Sequence, residues 1–407
     1  MRILLPATVV FGILFTADNS TVAQIWKSNG IPGVSGWSSV TMSADGTVIT
    51  AAGSTNIYVS TNSGAVWLPT SASGHYWTSI AASADGRKLI AAAVPGELYG
   101  HGSYSGGIYT STNFGADWSS NNVPNSNYWI AVASSADGNR LVAMAGYYAG
   151  SPSGPVWLST DSGNTWAQTS APVTNWCSVV SSADGTELLA GTFGGLAYLS
   201  TNGGTTWIPQ TNLPTGRWRI MSLSADARIL MAAAYQVNSG QGRIYASTNS
   251  GAVWTLLNAP TNQLWAAFCS SADGSRLVAV SYGPFFRSTN FGNTWTSNSS
   301  PNLFAKWTSI ASSADGNKLA LVAGEPFGIY TSQIMPKPFL DISSSNGKLA
   351  ISWLVPSTNF ILQQNLELAT ANWVTLTNAP TLNLTNLQDE VTLSPTNSSG
   401  FFRLISQ

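Results

Sequence analysis

The sequence predicts an all-β protein in which seven four-stranded sheets form a ring that is closed by an N-terminal strand, followed by a small β-sandwich. Two repeats carry this prediction. A segment that begins with tryptophan occurs seven times, and an eight-residue motif that ends with tryptophan occurs six times. The composition also favours an extracellular β protein, because only 8% of the 407 residues are charged and 17 are tryptophan. A repeat period between 20 and 50 residues is typical of architectures that stack one small unit on the next.

The first 23 residues are typical of a secretory signal peptide. Arg2 precedes an apolar stretch over residues 3–15, and the small residues Thr21 and Ala23 come before residue 24. The apolar stretch is too short to span a bilayer comfortably. We therefore expect a mature protein that begins near residue 24, is secreted to the periplasm or the extracellular space, and has no membrane span.

The long repeat begins with WSSVTMSADGTVITAAGSTNIYVSTNSGAVW at Trp37. Successive copies start 40 to 52 residues apart, at Trp77, Trp129, Trp176, Trp218, Trp265 and Trp307. Each copy predicts an inner strand, a tight SADG-type turn, a second strand of the type LxAA, a loop of variable length and a third strand of the type IYxS. The turn aspartates are Asp45, Asp85, Asp137, Asp184, Asp226, Asp273 and Asp315.

The short motif has the pattern S-T-[N/D]-x-G-x-x-W and ends at Trp67, Trp118, Trp166, Trp207, Trp254 and Trp295. It resembles the Asp-box, or BNR, repeat. This resemblance implies a β-propeller scaffold of the sialidase-like superfamily, similar to photosystem II assembly factors. It also implies that the Asn or Asp bonds back to the hairpin backbone and that the Trp packs between the third and fourth strands.

The seventh copy lacks a box tryptophan, and the other end of the chain provides one. Trp26 lies 11 residues before Trp37, which is the usual distance from a box tryptophan to the next repeat. The N-terminal segment is therefore predicted to be the outer strand of the last blade, so that the propeller spans residues 24–335 and leaves no open edge.

The last part of the chain, residues 336–407, has strand-like alternation without either motif. It resembles a fibronectin type III-like module, which implies a small β-sandwich. Cys177 and Cys269 are the chain's two cysteines, and their places in the repeat predict that they remain unpaired.

The chain carries 16 basic and 17 acidic residues and no run of like charge, which argues against nucleic acid or an anionic membrane surface as partner. We expect a monomer without a cofactor. Alternate strand direction should place the SADG turns and the boxes together on one side, here called the regular face. The loops between second and third strands and the connections between repeats then lie on the opposite, variable face, where binding is expected.

The repeat assigns nearly every propeller acid to a turn, which leaves Glu97 and Glu325 on variable loops. A glycosidase needs two carboxylates beside the scissile bond, so these two are the candidate catalytic pair. His75 and His101, together with Glu97, form a candidate metal-binding set. The simpler interpretation is that both histidines are ordinary exposed loop residues.

Two further groups on the variable face are candidate ligand-binding residues. Arg217, Arg219 and Arg243 belong to one repeat, and clustered guanidinium groups bind carboxylates or phosphates. Sialidases use an arginine triad for the sialate carboxylate, but their N-terminal arginine motif is absent here, and no propeller aspartate is left to act as acid. The loop tyrosines suit sugar stacking or a protein interface: Tyr99, Tyr104, Tyr148 and Tyr235. They could equally pack adjacent loops together.

Basic residues follow most SADG turns on the regular face, and these are expected to form a solvated edge: Arg87, Lys88, Arg140, Arg228, Arg276 and Lys318. As a function we expect a non-enzymatic binding or assembly scaffold whose variable face engages an extracellular glycan or protein. The alternative is a secreted glycoside hydrolase or lyase that acts on polysaccharides.

Overall fold

The computed structural model describes residues 10–13, 25–31, 34, 36–95, 106–124, 127–146, 153–235, 242–260, 263–298, 300–302, 304–325, 328–333, 341–345, 348–354, 360–366, 372–378, 380–383, 388–393 and 399–406. Within these ranges the regular secondary structure is β-strand. No helix in them is long and apolar enough to cross a membrane.

Two strands, β1 (Val10–Ile13) and β2 (Ile25–Asn29), precede the repeats. The first three repeats each form one four-stranded antiparallel sheet in chain order. Their strands are β3 (Trp37–Met42), β4 (Ile49–Gly53), β5 (Asn56–Ser60), β6 (Leu68–Ser73), β7 (Tyr76–Ala82), β8 (Leu89–Val94), β9 (Gly107–Ser111), β10 (Ser119–Ser120), β11 (Trp129–Ser134), β12 (Leu141–Ala145), β13 (Val156–Ser159) and β14 (Ala167–Gln168).

The fourth and fifth repeats are joined into one eight-stranded sheet, because the second strand of one pairs with the first strand of the next. The strands are β15 (Trp176–Ser181), β16 (Leu188–Gly195), β17 (Ala197–Ser200), β18 (Ile208–Pro209), β19 (Gly216–Leu223), β20 (Leu230–Tyr235), β21 (Gly242–Ser247) and β22 (Thr255–Leu256).

The sixth repeat is again a four-stranded sheet, whereas the seventh contributes three strands and takes β2 as its fourth. These strands are β23 (Trp265–Ser270), β24 (Leu277–Ser281), β25 (Phe285–Ser288), β26 (Thr296–Asn298), β27 (Lys306–Ser312), β28 (Lys318–Glu325) and β29 (Gly328–Gln333). β2 lies antiparallel to β29, with Trp26 opposite Ser332. Trp26 also packs edge-on against Phe285 of the sixth repeat, with ring centroids 5.4 Å apart.

Two small sheets follow, formed by β30 (Asp341–Ser345), β31 (Lys348–Leu354), β32 (Phe360–Asn365), β33 (Val374–Thr375), β34 (Thr381–Asn383), β35 (Gln388–Leu393) and β36 (Ser399–Ser406). One sheet has the order β30-β31-β35-β34, and the other has the order β1-β36-β32-β33. Ile351, Trp353 and Phe402 are buried in a shared core. β1, which belongs to the predicted signal peptide, runs parallel to β36.

The hydrophobic core of the repeats lies between neighbouring sheets. One cluster joins Leu189 and Leu199 of the fourth repeat to Trp218 and Leu230 of the fifth. The first tryptophan of the repeat is fully buried in several copies, whereas the box tryptophans are half-buried and pack beside it. Trp176 and Trp207, for example, have ring centroids 5.9 Å apart.

The SADG turns and the boxes hold their own backbones as the sequence indicated. In the first repeat, the Asp45 carboxylate accepts hydrogen bonds from Ser43 Oγ and from the Thr47 amide. The side-chain oxygen of Asn62 accepts a bond of 2.8 Å from the Val66 amide. The Ser63 amide donates to the Thr47 carbonyl at 2.8 Å, so the two turns lie side by side on the regular face.

A ring of backbone hydrogen bonds links all seven SADG turns. The amide of the alanine in each turn donates to the carbonyl of the corresponding alanine in the next repeat, at 2.6 to 2.9 Å. The members are Ala44, Ala84, Ala136, Ala183, Ala225, Ala272 and Ala314, and the Ala314 amide donates to the Ala44 carbonyl.

The basic residues that follow the turns form a solvated edge only in part. Arg87, Arg140 and Arg228 are exposed, but Lys88 and Arg276 are half-buried and Lys318 is buried, so the expectation is wrong for these three. Lys88 Nζ donates to Asn139 and Ser162 of the next repeat at 2.7 and 3.1 Å. Lys318 is buried, and its Nζ reaches the Asp45 carbonyl of the first repeat at 3.1 Å. These cations connect neighbouring sheets, because a long side chain at this position points along the ring rather than into water.

Candidate functional site

The inner strands of all seven repeats surround a central channel of about 830 Å³. Its wall is formed mostly of hydroxyl-bearing and small apolar side chains, such as Ser38, Thr78, Ala266 and Thr308. Among the described residues that line it there is no Asp, Glu or His. The channel is therefore a polar, charge-poor space in which a single cation, Arg219, stands out.

The channel narrows at the regular face. Hydrogen-bonded strands lie about 4.8 Å apart, so seven chains in the alanine ring place their Cα atoms on a circle about 11 Å across. The backbone and methyl groups fill most of that circle, and Ala44, Ala84, Ala272 and Ala314 pack in one apolar cluster there. Access for a ligand is therefore from the variable face, where each inner strand begins.

Three residues at this entrance, Phe193, Arg217 and Arg219, are here called the arginine platform. The guanidinium carbon of Arg217 lies 4.3 Å from the centroid of the Phe193 ring, which is a cation–π contact. Phe193 and Arg219 both line the channel, and Arg219 is exposed. Guanidinium groups stack on aromatic faces and bind carboxylates through planar, bidentate hydrogen bonds, so both residue types suit a binding site for an acidic ligand.

The arginine platform is held in place by contacts between the fourth and fifth repeats. Phe193 pairs with Arg217 across the junction of the fourth and fifth repeats. Ser178 Oγ and Cys177 Sγ donate to the Trp218 carbonyl, at 2.6 and 3.2 Å. A Cβ atom on Gly191 would lie 1.9 Å from that carbonyl oxygen, so only glycine permits this close approach.

Cys177 is a structural residue at this junction. Burial raises the pKa of its thiol to about 12, and the charge of Arg219 offsets only part of this effect. The thiol is thus protonated at neutral pH and poorly suited to act as a nucleophile. Both cysteines are free, as the sequence predicted.

The strand register separates Arg243 from Arg217. Arg217 pairs with Tyr235, and Tyr235 pairs with Gly242, so these positions form one row across the sheet. Arg243 pairs with Ala234 and is one position out of that row. Because neighbouring residues of a strand point to opposite sides, Arg243 and Arg217 face opposite sides of the sheet. Arg219 lies within the register shift between Arg217 and Ile220, so the pairing does not assign it to the side of Arg217.

His75 lies in the connection between β6 and β7, as expected, but it is half-buried among aromatic rings. Its ring centroid lies 4.7 Å from that of Tyr109 and 5.3 Å from that of Trp77. Within the part of the chain that the structure describes, no group of three His, Cys, Asp or Glu side chains could hold a metal ion. His101 and Glu97, the other members of the predicted metal set, lie outside that part.

The remaining candidates are only partly located. Glu325 is the last residue of β28 and pairs with Lys306, but its side chain is not described. The backbone of Tyr235 is placed, as given above. Tyr99, Tyr104 and Tyr148 lie outside the described residues.

Sequence reasoning missed two features of the site. Phe193 was not among the candidate ligand-binding residues, and the bonds from Cys177 and Ser178 to the next repeat were not foreseen. The usable signal was the short hairpin at Gly194 and Gly195, which lets β16 extend far enough to meet β19.

No protein-family model and no curated protein matches the chain. Several solved structures are similar to the chain. YCF48 from Cyanidioschyzon merolae is 14% identical over 76% of this chain and 98% of its own, with a TM-score of 0.57. A structure described as YCF48 bound to D1 peptide is 13% identical over 78% of this chain and all of its own, with a TM-score of 0.55. The GH74 xyloglucanase from Xanthomonas campestris is 16% identical, covers 81% of this chain and 59% of its own, and has a TM-score of 0.58. At these identities the similarity concerns the fold alone, and this chain has the fold of a β-propeller.

Proposed function

We propose that this chain is a non-enzymatic binding scaffold whose arginine platform takes a carboxylate of a partner protein at the entrance of the central channel. The observation that carries the proposal is the exposed Arg219, in a channel whose described wall contains no acid. Arg217, which stacks on Phe193, lies two residues before it on the same strand. A guanidinium in such surroundings lacks a competing carboxylate from the wall, so an acidic ligand would meet it at full charge.

The proposal includes a seven-bladed propeller that is closed by its N-terminal strand. Three observations support it: seven four-stranded repeats, two of which are joined in one eight-stranded sheet, the pairing of β2 with β29, and the alanine ring. We also propose that residues 1–23 are removed on secretion and that residues 336–407 form a fibronectin type III-like module. Mass determination of the protein purified from culture medium or periplasm tests the first point, with Gln24 as the expected first residue.

A protein partner is favoured over a glycan by the similar propeller whose structure is described as bound to a peptide. A short glutamate-rich peptide is therefore the first probe, and an uronate-containing oligosaccharide of the same charge is the second. Tighter binding of the oligosaccharide than of the peptide would indicate that the partner is a glycan and not a protein.

Variants of the two platform arginines test the site. Arg219→Gln and Arg217→Gln should each weaken peptide binding by about tenfold, since a hydrogen bond to a charged group contributes roughly 1.5–3 kcal/mol. Arg228→Gln is the control for Arg219, because Arg228 is exposed on the regular face of the same sheet. Arg403→Gln is the control for Arg217, because Arg403 stacks on Trp373 in the C-terminal part at 4.2 Å. Equal affinities for platform and control variants would refute the site.

A polysaccharide hydrolase is the second candidate function, supported by the similarity in fold to a xyloglucanase. It would rely on Glu97 and Glu325 as the acid and its partner. Release of reducing ends from xyloglucan or related polymers, abolished in Glu97→Gln and Glu325→Gln, would establish it in place of the binding scaffold.

A further inference from the structure

The seventh SADG turn is buried, unlike its counterparts. Asp315, Asn317 and Lys318 are exposed by only 5%, 9% and 7%. The aspartates of the second to sixth turns are all exposed, although each turn has the same internal hydrogen bonds. Because the local conformation is the same, the difference must come from something that covers this turn.

The chain itself brings a covering element to this place. β29 ends at Gln333, which pairs with Lys318, so the chain leaves the propeller on the regular face beside the buried turn. β30 begins at Asp341. Eight Cα steps reach at most about 28 Å, so the C-terminal sheets start close to the junction of the seventh and first repeats. That junction, between β27–β29 with β2 and β3–β6, is here called the seam.

The register of the C-terminal sheets shows which end faces the seam. Asp341 pairs with Ser352, and the next residue, Trp353, pairs with Asp389. Asp389 therefore lies at the end where the chain enters. Burial raises the pKa of Asp389, and the charge of Asp45 in the first turn raises it further. The carboxylates of Asp389 and Asp45 are thus near neighbours.

We propose that the C-terminal sheets dock on the regular face over the seam, with the end that carries Asp389 against the turns of Asp45 and Asp315, and that mild acid tightens this contact. The charge of Asp45 acts on Asp389, and the charges of Asp45 and Asp315 both act on Lys318. The facing cations are Arg276 and Arg287 from the sixth repeat and Lys318 from the seventh. Lys318 lies between the acids, since its Nζ reaches the Asp45 carbonyl.

The effect of pH on docking has a direction because the charges of Asp389 and Asp45 repel each other. The part that Asp45 contributes to the raised pKa of Asp389 exists only while the two parts of the chain are in contact. The docked form therefore binds a proton more tightly than the undocked form, and docking strengthens as the pH falls. Burial likewise raises the pKa of Asp315 to about 6, so its protonation favours the covered turn in the same pH range.

Hydrogen exchange of the full chain tests the docking. The amides of residues 313–317 are compared with those of residues 271–275, which have matching bonds within the turn and from alanine to alanine. At pH 5.5 the seventh turn should exchange about tenfold more slowly than the sixth, and at pH 7.5 the ratio should fall, once intrinsic exchange rates are corrected. Equal rates in the two turns at both pH values would overturn the proposal.

Two neighbouring variants test the role of Asp389. Asp389→Asn removes the repulsion, so the exchange ratio at pH 7.5 should approach the value at pH 5.5. Glu390→Gln is the matched control, because the adjacent residue points to the other side of the strand, and it should behave like the parent protein. Small-angle scattering of the same samples should give a smaller radius of gyration in acid for the parent and for Glu390→Gln, and a smaller change for Asp389→Asn. Identical behaviour of the two variants would refute the part assigned to Asp389.

Discussion

The two faces of the propeller use repetition in opposite ways. On the regular face the same residues recur in every blade and bond to one another, as in the alanine ring and the aspartate turns. On the variable face the arginine platform occurs once, where one shortened hairpin lets two sheets pair. The difference teaches that repeated polar residues stabilise the ring, whereas the polar residues that break the repeat are the ones available for binding.

The largest effect is expected where the variable face depends on the closest packing. Gly191→Ala places a Cβ atom 1.9 Å from the Trp218 carbonyl oxygen and must displace the inner strand of the fifth blade. We expect a loss of about 3 kcal/mol in unfolding free energy, at the upper end of the range of about 1–3 kcal/mol that overpacking costs. Chemical denaturation measures it. The matched control is Gly194→Ala, where no atom lies within 4 Å but φ is +94°, and it should cost only about 1 kcal/mol. Equal losses would contradict the close approach.

A second effect distinguishes the buried turn from the other turns of the regular face. Burial raises the pKa of Asp315 from 3.8 to about 6. The folded state thus holds this proton more tightly than the unfolded state, so the contribution is present below about pH 4 and is lost as the pH rises to about 6. The difference corresponds to roughly 3 kcal/mol. Asp315→Asn should remove this loss of stability between pH 4 and 6 in denaturation curves, while the exposed Asp273→Asn should retain it.

The other turns act in the opposite direction at lower pH. Burial alone would raise the pKa of Asp137, but hydrogen bonds from Ser135 and Asn139 outweigh it, and the net shift is downward. The same holds for Asp184, which accepts bonds from Ser182 and Thr186. Their stabilisation is present above the ordinary value and is lost as the pH falls below it. Stability of the parent protein should therefore pass through a maximum near pH 4 to 5.

The third prediction sets one residue of each face against the other. Asp273→Ala removes the acceptor for Ser271 Oγ and the Ser275 amide and should cost about 1 kcal/mol of stability without changing ligand affinity. Arg219→Gln should do the reverse, because an exposed arginine contributes little to stability. Thermal unfolding and peptide titration of the same two variants provide the measurement. A variant that changes both quantities would break the division between the faces.

The sequence could predict whatever local chemistry determines. The aspartate turns, the box hairpins and the extra strand around Trp26 follow from side chains that bond within a few residues or from a missing repeat. Contacts between sheets were harder to predict from the sequence. Lys318 was expected in water because it follows a surface turn, yet it is buried and its Nζ reaches the Asp45 carbonyl of the next blade.

The site was predictable only in part for the same reason. Arg217 and Arg219 were chosen from their closeness in the chain; in the structure Arg217 stacks on Phe193, and Arg219 lines the channel. Arg243 was chosen on the same ground but lies one register position out of line with Arg217, and a single residue of register reverses the side of a strand. His75 lies in a connection between strands, as expected, but the packing of Trp77 and Tyr109 against it did not follow from the sequence.

The smallest effect is expected at Cys177, which occupies a repeat position whose side chain donates a hydrogen bond to the next blade. Thr78 and Thr308 occupy the same repeat position, and their hydroxyls donate to the next blade's tryptophan carbonyl at 2.7 Å. Cys177 makes the weaker thiol bond at 3.2 Å and leaves the stronger one to Ser178. Cys177→Thr should therefore change stability by less than about 1 kcal/mol, whereas Ser178→Ala should cost more.

Because burial raises the pKa of Cys177 to about 12, native protein should also resist alkylation by iodoacetamide at pH 8. Rapid modification of Cys177 in folded protein would show that the junction beneath the arginine platform opens, and the platform would then lose the rigidity that separates it from the repeated face.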